Sequence, residues 1–152
     1  MVLNKDTFKE DLPIGEEAEY MVLDIIKEKY PAAYKIKGNF KPYDIYVPET
    51  GMRIEVKRDI GSNESDNYFI EYKCNGYKSG IFASRSDYYV IFDENRFIWI
   101  RTDRLKSISK LYGWKWEGTP KGGCSHVKAF LLDKGYVLKF SESITTPHEF
   151  SN

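Results

Sequence analysis

Hydrophobic residues near the start of the chain follow a helical period. They recur at the three- and four-residue spacing that lines one side of a helix, at Ala18, Val22, Ile25 and Ile26. Asp11 can cap such a helix and Pro13 suits its first turn, whereas the residue before Pro31 is biased away from helical backbone. The pattern predicts an amphipathic helix over residues 13–29.

Beyond this helix, the chain is richest in short apolar or alternating runs that are typical of strands. Two extended segments, 43–47 and 52–57, flank a Pro-Glu-Thr-Gly turn and predict a hairpin. Further strands are predicted at Tyr68–Lys73, Tyr88–Phe92 and Phe97–Arg101. A second hairpin is predicted from Lys128–Leu132 and Tyr136–Phe140, turning at Asp133-Lys134-Gly135.

The segments between these strands carry weaker patterns. Residues 76–86 suit a loop or a short helix, and Thr102 can cap a helix that reaches about Leu111. Residues 113–123 are glycine-rich and predict a loop, and we expect the tail 141–152 to be frayed and flexible. Elements in this order predict an α/β or α+β sheet with helices packed against it. A length of 152 residues suits a single domain, 1–152.

The first hairpin brings charged side chains together. If residues 48–51 form its loop, Asp44 lies opposite Glu55 on the neighbouring strand. Carboxylates in directly opposed positions repel each other, so such a pair usually has a cation between them. Because strand side chains alternate, Lys57 shares the face of Glu55 while Val56 points to the other, apolar side. Two acids and one amine on one surface suit metal-assisted hydrolysis.

Composition and charge narrow the classes of protein. Apolar residues make up 41% of the chain and aromatic residues 16%, so we expect a folded domain. The 23 basic and 23 acidic residues cancel, which argues against indiscriminate, charge-driven DNA binding. Residues 1–30 carry four lysines and eight acids, whereas residues 101–139 carry nine basic residues and three acids. This asymmetry permits a local basic face for phosphate, and ordinary solvated charge accounts for it equally well.

The cysteines and the hydropathy pattern bear on the compartment. Cys74 and Cys124 are too few for a disulfide framework, so we expect free thiols in a reducing, cytoplasmic setting. No apolar run approaches the ~18 residues that span a bilayer, and we expect no membrane partner. Cys124-Ser125-His126 does not predict a zinc site, because the chain offers one other cysteine and, in the tail, His148.

A helical Glu, then an Asp, then Glu-x-Lys on a hairpin resembles the PD-(D/E)xK nuclease superfamily. Pro42-Tyr43-Asp44 is one residue longer than the superfamily's Pro-Asp, and Ile54-Glu55-Val56-Lys57 fits closely. Gly15-Glu16-Glu17-Ala18-Glu19 is similar to the Gly-x-x-Ala-Glu of small archaeal and phage Holliday-junction resolvases. The resemblance covers residues 15–57 and implies an α/β, restriction-endonuclease-like fold, a mixed central β-sheet flanked by α-helices.

The resemblance also implies a magnesium site. Asp44, Glu55 and the carbonyl of Val56 would bind Mg²⁺, for which Mn²⁺ can substitute. Lys57 would orient or deprotonate the water that attacks the phosphate. Glu19 would complete the site from the helix, where it orients a water or binds a second metal; Glu16, one turn earlier, could serve instead. The competing interpretation is an exposed hairpin with an ordinary Glu–Lys pair, behind a helix with favourable N-terminal acids.

Other residues are candidates for the edge of the site or for DNA contact. A second Glu-x-Lys, Glu71-Tyr72-Lys73, is interpreted as the next strand, with Glu71 either bordering the site or facing solvent. Arg58 and Asp59 directly follow the motif and could contact phosphate. Basic and aromatic residues that could contact nucleic acid are Lys78, Arg85, Arg96, Arg101, Arg104, Tyr77, Phe82, Trp114, Lys115 and Trp116.

These residues predict a Mg²⁺-dependent DNA endonuclease, and the resemblance favours a structure-selective enzyme for branched DNA. The alternatives are a restriction- or repair-type nuclease that cuts linear duplex DNA, and a DNA- or protein-binding module that keeps the fold without cleavage. Symmetric cleavage of two strands would require a homodimer. The cytoplasm is the expected compartment, or the host cytoplasm if the protein is phage-encoded.

Overall fold

A computed structural model describes residues 14–38, 41–120 and 124–145. The predicted capping by Asp11 and the start at residue 13 lie outside these ranges. The helices are α1 (Ile14–Lys27), α2 (Gly80–Ala83), α3 (Thr102–Tyr112) and α4 (Lys134–Phe140), with a 3₁₀ turn at Gly61–Glu64. The strands are β1 (Tyr34–Lys35), β2 (Ile45–Val47), β3 (Met52–Arg58), β4 (Asn67–Cys74), β5 (Tyr77–Lys78), β6 (Tyr88–Phe92), β7 (Phe97–Arg101), β8 (Trp114–Gly118), β9 (Val127–Asp133) and β10 (Ser143–Thr145).

The strands form two sheets. The first sheet has the order β1-β2-β3-β6-β7-β10 and is antiparallel except for the parallel pair β3 and β6. The second sheet has the order β5-β4-β9-β8 and is antiparallel throughout. A parallel pair needs a long connection, and here that connection carries β4, β5 and α2. The mixed sheet with helices confirms the predicted α/β class.

The first sheet is covered on both faces. On one face, Val90 and Phe92 of β6 join the apolar side of α1 in one hydrophobic core. On the other face, Tyr89 and Ile91 join α3, α4 and the second sheet in another. The alternation along a strand assigns each β6 side chain to one core or the other. Apolar burial on both faces holds β3 and β6 in the middle of the molecule, where the candidate site lies.

The predicted register of the first hairpin is confirmed. Val47 lies opposite Met52, and Ile45 opposite Ile54. The Asp44 N–H donates to the carbonyl of Ile54 at 2.9 Å, which continues the pairing to the predicted charged position. Ile54 and Val56 are 1% and 5% exposed and face the core under α1, as their alternation predicts.

Three predictions for the second half of the chain are wrong. Residues 136–140 are not a hairpin strand, because the Asp133 side chain accepts the Gly135 N–H at 2.8 Å and caps α4. The glycine-rich loop contains a strand, β8, which pairs with β9. The start of the expected frayed tail is also ordered, since β10 pairs with β7; residues 146–152 lie outside the described chain.

The prediction of free thiols is wrong as well, because Cys74 and Cys124 form a disulfide. Cys74 ends β4 and lies opposite Val127 at the start of β9, so the pairing of these strands brings together cysteines 50 residues apart in sequence. The two cysteines are far apart in sequence, so the bond becomes apparent only from the pairing of β4 with β9 in the second sheet. The expectation of a reducing compartment rested on free thiols, and the disulfide removes that support.

Reduction of this disulfide should lower stability. A cross-link over 50 residues removes about 4 kcal/mol of loop-closure entropy from the unfolded chain in the simple entropic model. We expect dithiothreitol to lower the urea midpoint of the wild-type protein. The double variant Cys74→Ser/Cys124→Ser should start at that lower midpoint and be insensitive to dithiothreitol. An unchanged wild-type midpoint would show that the bond adds nothing to stability.

Gly80 is predicted to be intolerant of a side chain. Its φ of +48° is left-handed, and an added Cβ would lie 2.1 Å from the carbonyl oxygen of Glu71. Gly80→Ala should therefore destabilise the protein by at least about 2 kcal/mol, measured by urea denaturation. Gly15→Ala is the matched control, because no atom lies within 4 Å of its added Cβ and alanine favours the helix. Equal stability of the two variants would contradict the close packing of α2 on β4.

Candidate active site

The site is centred on Asp44, at the entry to β2. Asp44 is 5% exposed, and its Oδ2 accepts the backbone N–H of Val56 at 2.7 Å. This bond holds the carboxylate against β3. The N–H and C=O of one strand residue point toward the same neighbouring strand, so the Val56 carbonyl also faces the Asp44 side. The hairpin thereby brings together the three groups predicted to bind metal.

Glu55 and Lys57 lie on the face of β3 opposite to the α1 core. Parallel pairing places them beside Tyr89 and Ile91 of β6. The Lys57 Nζ lies 3.3 Å from Glu55 Oε1, and their side chains are 47% and 12% exposed. The shared face predicted for the two residues is therefore present. The Glu55 side chain is therefore mostly buried, whereas the Lys57 side chain is partly exposed to solvent.

Glu19 approaches the same site from α1. The Nζ of Lys41 lies between two carboxylates, 2.6 Å from Glu19 Oε1 and 3.0 Å from Asp44 Oδ1. Lys35 lies 3.6 Å from Glu19 and 3.4 Å from Glu16. Of the two helical candidates, Glu19 is therefore the one beside Asp44, while Glu16 contacts Lys35 further out.

Crowding of carboxylates raises their affinity for protons. Burial raises the pKa of Glu55 to about 7; the Lys57 ammonium opposes this shift and Asp44 adds to it. Burial and Asp44 also raise the pKa of Glu19, against the effect of Lys41. Partial desolvation of the Lys57 amine by the residues around it works to lower its pKa, yet Tyr89, Glu55 and Asp44 raise that pKa above its ordinary value. The site thus holds partly buried carboxylates with a raised affinity for protons beside a protonated amine.

A cleft of about 850 Å³ opens beside Lys57. The first sheet contributes Lys57 and Tyr89 to its wall, and the second sheet contributes Phe69, Glu71 and Leu131. Glu71 therefore borders the cleft, which is one of the two positions considered for it. A solvent-filled space next to the amine gives a substrate a route to the site.

Three residues of the site have no signal in the sequence pattern. Tyr89 belongs to a buried apolar run and resembles a core residue until the parallel pairing places it opposite Glu55. Lys41 and Lys35 resemble ordinary surface lysines. Lys41 stands three residues before Asp44, so its contact with that residue is local, but its contact with Glu19 depends on how α1 packs.

The basic residues predicted to contact DNA differ in whether a carboxylate already pairs with them. Arg58 is held by Glu94 at 2.5 Å and by Glu17 at 3.6 Å. Arg85 is exposed, and its backbone N–H donates to the carbonyl of Pro42 at 2.9 Å, beside the site. Ion pairs also hold Arg96 to Asp93, Arg101 to Asp103 and Arg104 to Glu142. Arg85 is therefore better placed than Arg58 to contact a bound phosphate.

Asp59 has a structural role in the loop after β3. Its carboxylate accepts the N–H of Phe69 at 2.7 Å and the N–H of Ser62 at 3.1 Å. These bonds tie the 3₁₀ turn to the start of β4. Contact of Asp59 with phosphate is disfavoured, because both groups are negative.

The oxygen donors fit Mg²⁺ with retained waters. Across residues 14–38, 41–120 and 124–145, no group of three or more His, Cys, Asp or Glu side chains is close enough to hold a metal by itself. Mg²⁺ needs less than this, because it is usually bound by one or two carboxylates and keeps several waters. Asp44, Glu55 and the Val56 carbonyl are the hard oxygen ligands that would hold such an ion, with Lys41 displaced from Asp44.

Comparisons of the chain with protein-family models, with curated proteins and with solved structures found no match. Within the described ranges, no helix has the length and apolar character needed to cross a membrane.

The buried Glu55 predicts a pH-dependent stability of the metal-free protein. Its folded-state pKa of about 7 exceeds the ordinary value of 4.5, so its contribution to stability is fully present below the ordinary value and is lost as pH rises through 7. Glu55→Gln should therefore be more stable than the wild type at pH 8, by roughly 2 kcal/mol, and similar to it at pH 4.5. The measurement is urea denaturation in EDTA, with exposed Glu28→Gln as control. If the stability of the wild type and of Glu55→Gln changes with pH in the same way, the Glu55 charge is not buried.

Proposed function

We propose that this chain is a Mg²⁺-dependent DNA endonuclease that hydrolyses phosphodiester bonds. The observation that carries the proposal is the convergence of Asp44, Glu55 and Lys57 on two paired strands, with Glu19 reaching Asp44 from α1. Buried acids with raised pKa values next to an amine at a cleft are typical of hydrolytic sites. The resemblance to PD-(D/E)xK nucleases, most of all to small Holliday-junction resolvases, agrees with this geometry.

Each residue has a chemical role in the proposal. Asp44, Glu55 and the Val56 carbonyl would hold Mg²⁺, which lowers the pKa of a bound water and neutralises charge on the phosphate. The Lys57 ammonium, kept protonated by its acidic neighbours, donates hydrogen bonds that position a water or a phosphate oxygen. It acts as an electrostatic group rather than a base. Glu19 accepts a hydrogen bond from a water on the Asp44 side.

The substrate in this proposal is DNA, with branched DNA as the preferred form. The cleft admits a strand beside Lys57, and exposed Arg85 near Pro42 can pair with a neighbouring phosphate. Contacts of this kind recognise the backbone and its shape rather than base sequence. A homodimer would present two such sites for symmetric cleavage of a junction.

The test is an assay on a panel of DNA substrates. Four-way junction, flap and linear duplex are incubated with the protein in Mg²⁺ or EDTA, alongside Glu55→Ala. We expect cleavage in Mg²⁺ only, with the junction cut fastest and the variant inactive. Faster cleavage of linear duplex would favour a restriction- or repair-type enzyme. Absence of metal-dependent cleavage on every substrate would overturn the nuclease proposal.

A second candidate function is a binding module without catalysis. The observation that favours it is Lys41, whose ammonium already supplies a cation between Glu19 and Asp44. In such a module the acids and lysines form a structural ion-pair network. The two functions differ in what Mg²⁺ does to the contacts of Lys41 with Glu19 and Asp44.

We also propose a cytoplasmic location, in the host cytoplasm if the protein is phage-encoded, because that is where its DNA substrate is found. Disulfides are rare in cytoplasmic proteins, so the Cys74–Cys124 bond argues against this location. Fractionation of cells that make the protein should recover it in the cytoplasmic fraction, and alkylation of thiols at lysis, followed by mass spectrometry, shows whether the bond is present there. Recovery of the protein outside the cytoplasm would contradict the assignment.

A further inference from the structure

A row of lysines crosses the second sheet. Lys78 on β5 lies opposite Lys73 on β4, and Lys73 lies opposite Lys128 on β9. Like charges in directly opposed positions of an antiparallel sheet are destabilising. Adjacent strands lie about 4.8 Å apart, so these three ammonium groups extend over roughly 10 Å. The repulsion among these three lysines should lower the stability of the folded protein unless an anion binds over them.

Three further lysines lie on the same side of this sheet. Lys115 on β8 is opposite Phe130 of β9, which shares a face with Lys128. Lys106 and Lys110 of α3 lie 5.9 Å and 5.3 Å from the centre of the Phe82 ring, and Phe82 packs on Phe130. We call the set Lys73, Lys78, Lys106, Lys110, Lys115 and Lys128 the lysine face.

The lysine face carries more positive charge than its acidic neighbours offset. None of its six lysines forms a salt bridge with a carboxylate in the described part of the chain. Five of the six arginines form ion pairs, as with Arg53 and Asp87 at 3.0 Å. Glu117 extends the row on β8 opposite Lys128, but its Oε1 bonds His126 Nε2 at 2.6 Å. A protein of zero net charge thus concentrates unpaired positive charge on one surface.

A cluster of three aromatic rings packs beside the lysines of α3. Phe82 contacts Tyr72 at 5.1 Å and Phe130 at 5.9 Å between ring centres, and Tyr72 contacts Phe130 at 4.5 Å. Ammonium groups over aromatic rings are held by cation–π attraction. The cluster keeps α3 against the second sheet and fixes the spacing between its lysines and those of the strands.

The lysine face is separate from the catalytic cleft. Strand alternation places Lys128 and Phe130 on one side of β9 and Leu131 on the other. Leu131 and Glu71 line the cleft beside Lys57. None of the six lysines lines the cleft, so a duplex can lie on the lysine face without entering the cleft.

We propose that the lysine face binds the phosphate backbone of duplex DNA, as a second surface apart from the cleft. B-DNA carries one negative charge for each ~1.7 Å of its axis, so a duplex presents several phosphates over the width of the lysine row. Lysine ammonium groups act as point charges on phosphate without reading bases. The binding needs neither metal nor cleavage, and so it does not depend on the proposed catalytic role.

The test is DNA binding by the full chain in EDTA, measured by fluorescence anisotropy with a 30-base-pair duplex at several salt concentrations. Wild type should bind with an affinity that falls steeply with salt. Lys73→Gln/Lys128→Gln should raise the Kd at least about tenfold and reduce the log–log salt slope by about two. The control Lys27→Gln/Lys29→Gln, with exposed lysines at the end of α1, should behave as wild type.

The outcomes separate this proposal from catalysis. Circular dichroism checks the fold of each variant, and Lys110→Gln/Lys115→Gln is an independent pair should the first fail to fold. Binding in EDTA without cleavage in Mg²⁺ would overturn the nuclease and leave the lysine face standing. No binding by wild type, or equal loss in the control variant, would overturn the lysine face. So would competition by polyglutamate as strong as that by DNA, which would assign the surface to an acidic protein.

Discussion

Lys57→Met is expected to slow DNA cleavage by about 10²- to 10³-fold while Mg²⁺ affinity stays within a few-fold of wild type. Methionine keeps most of the side-chain length but removes the ammonium that lies 3.3 Å from Glu55 and faces the cleft. The loss should fall on the chemical step, because the lysine donates to a reacting group and does not bind the metal. Single-turnover cleavage and calorimetric titration with Mg²⁺ measure the two effects separately.

The matched control is Lys29→Met, an exposed lysine at the end of α1 that should cleave at the wild-type rate. Glu55→Gln should lose both metal binding and cleavage, since it removes a ligand. Loss of metal binding in Lys57→Met would mean that the amine organises the ligands instead of acting on substrate. A wild-type rate in Lys57→Met would remove the residue from the mechanism.

Lys41→Met is expected to destabilise the metal-free protein by about 1.5 to 3 kcal/mol, because it removes charged hydrogen bonds from two partly buried carboxylates. The Lys41 Nζ lies 2.6 Å from Glu19 and 3.0 Å from Asp44, whose side chains are 12% and 7% exposed. Mg²⁺ should recover most of the loss, because a divalent cation at Asp44 replaces the missing positive charge. Urea denaturation in EDTA and in Mg²⁺ measures both quantities.

Lys35→Met serves as the comparison, since Lys35 contacts Glu16 and Glu19 but not Asp44. Its loss of stability should be smaller and unaffected by Mg²⁺. If Lys41→Met loses equal stability with and without Mg²⁺, the acids and lysines are a structural network, and the binding module becomes the better account.

The first hairpin could be predicted from sequence because its interactions are local. A four-residue loop and strand alternation were enough to give the register at Ile45 and Ile54 and the shared face of Glu55 and Lys57. The α1 helix followed from its apolar period in the same way. The choice between Glu16 and Glu19 stayed open, because it depends on how the helix packs beside Asp44.

Features that depend on distant pairing could not be predicted. Tyr89 enters the site only through the parallel pairing of β3 and β6, and the disulfide only through the pairing of β4 and β9. Asp133-Lys134-Gly135 suits a hairpin turn and a helix N-terminus equally well, and tertiary packing of Val137 in the core favours the helix. The lysine row is likewise invisible in sequence, because its members stand on three strands.

The site and the lysine face differ in how their charges are paired, although the protein as a whole is neutral. Near the cleft, positive charges are balanced by acids, as with Lys41 between Glu19 and Asp44. On the lysine face, no lysine forms a salt bridge with an acid among the residues that the structure describes. If both proposals hold, DNA would be bound by one surface and a metal by another without competition between them.

Diffraction from crystals soaked in Mn²⁺ tests whether Asp44 and Glu55 form a metal site. We expect an anomalous peak within coordination distance of carboxylate oxygens of Asp44 and Glu55, with the Lys41 ammonium moved away from Asp44. Absence of a peak there, with Lys41 still joining Glu19 to Asp44, would contradict the claim.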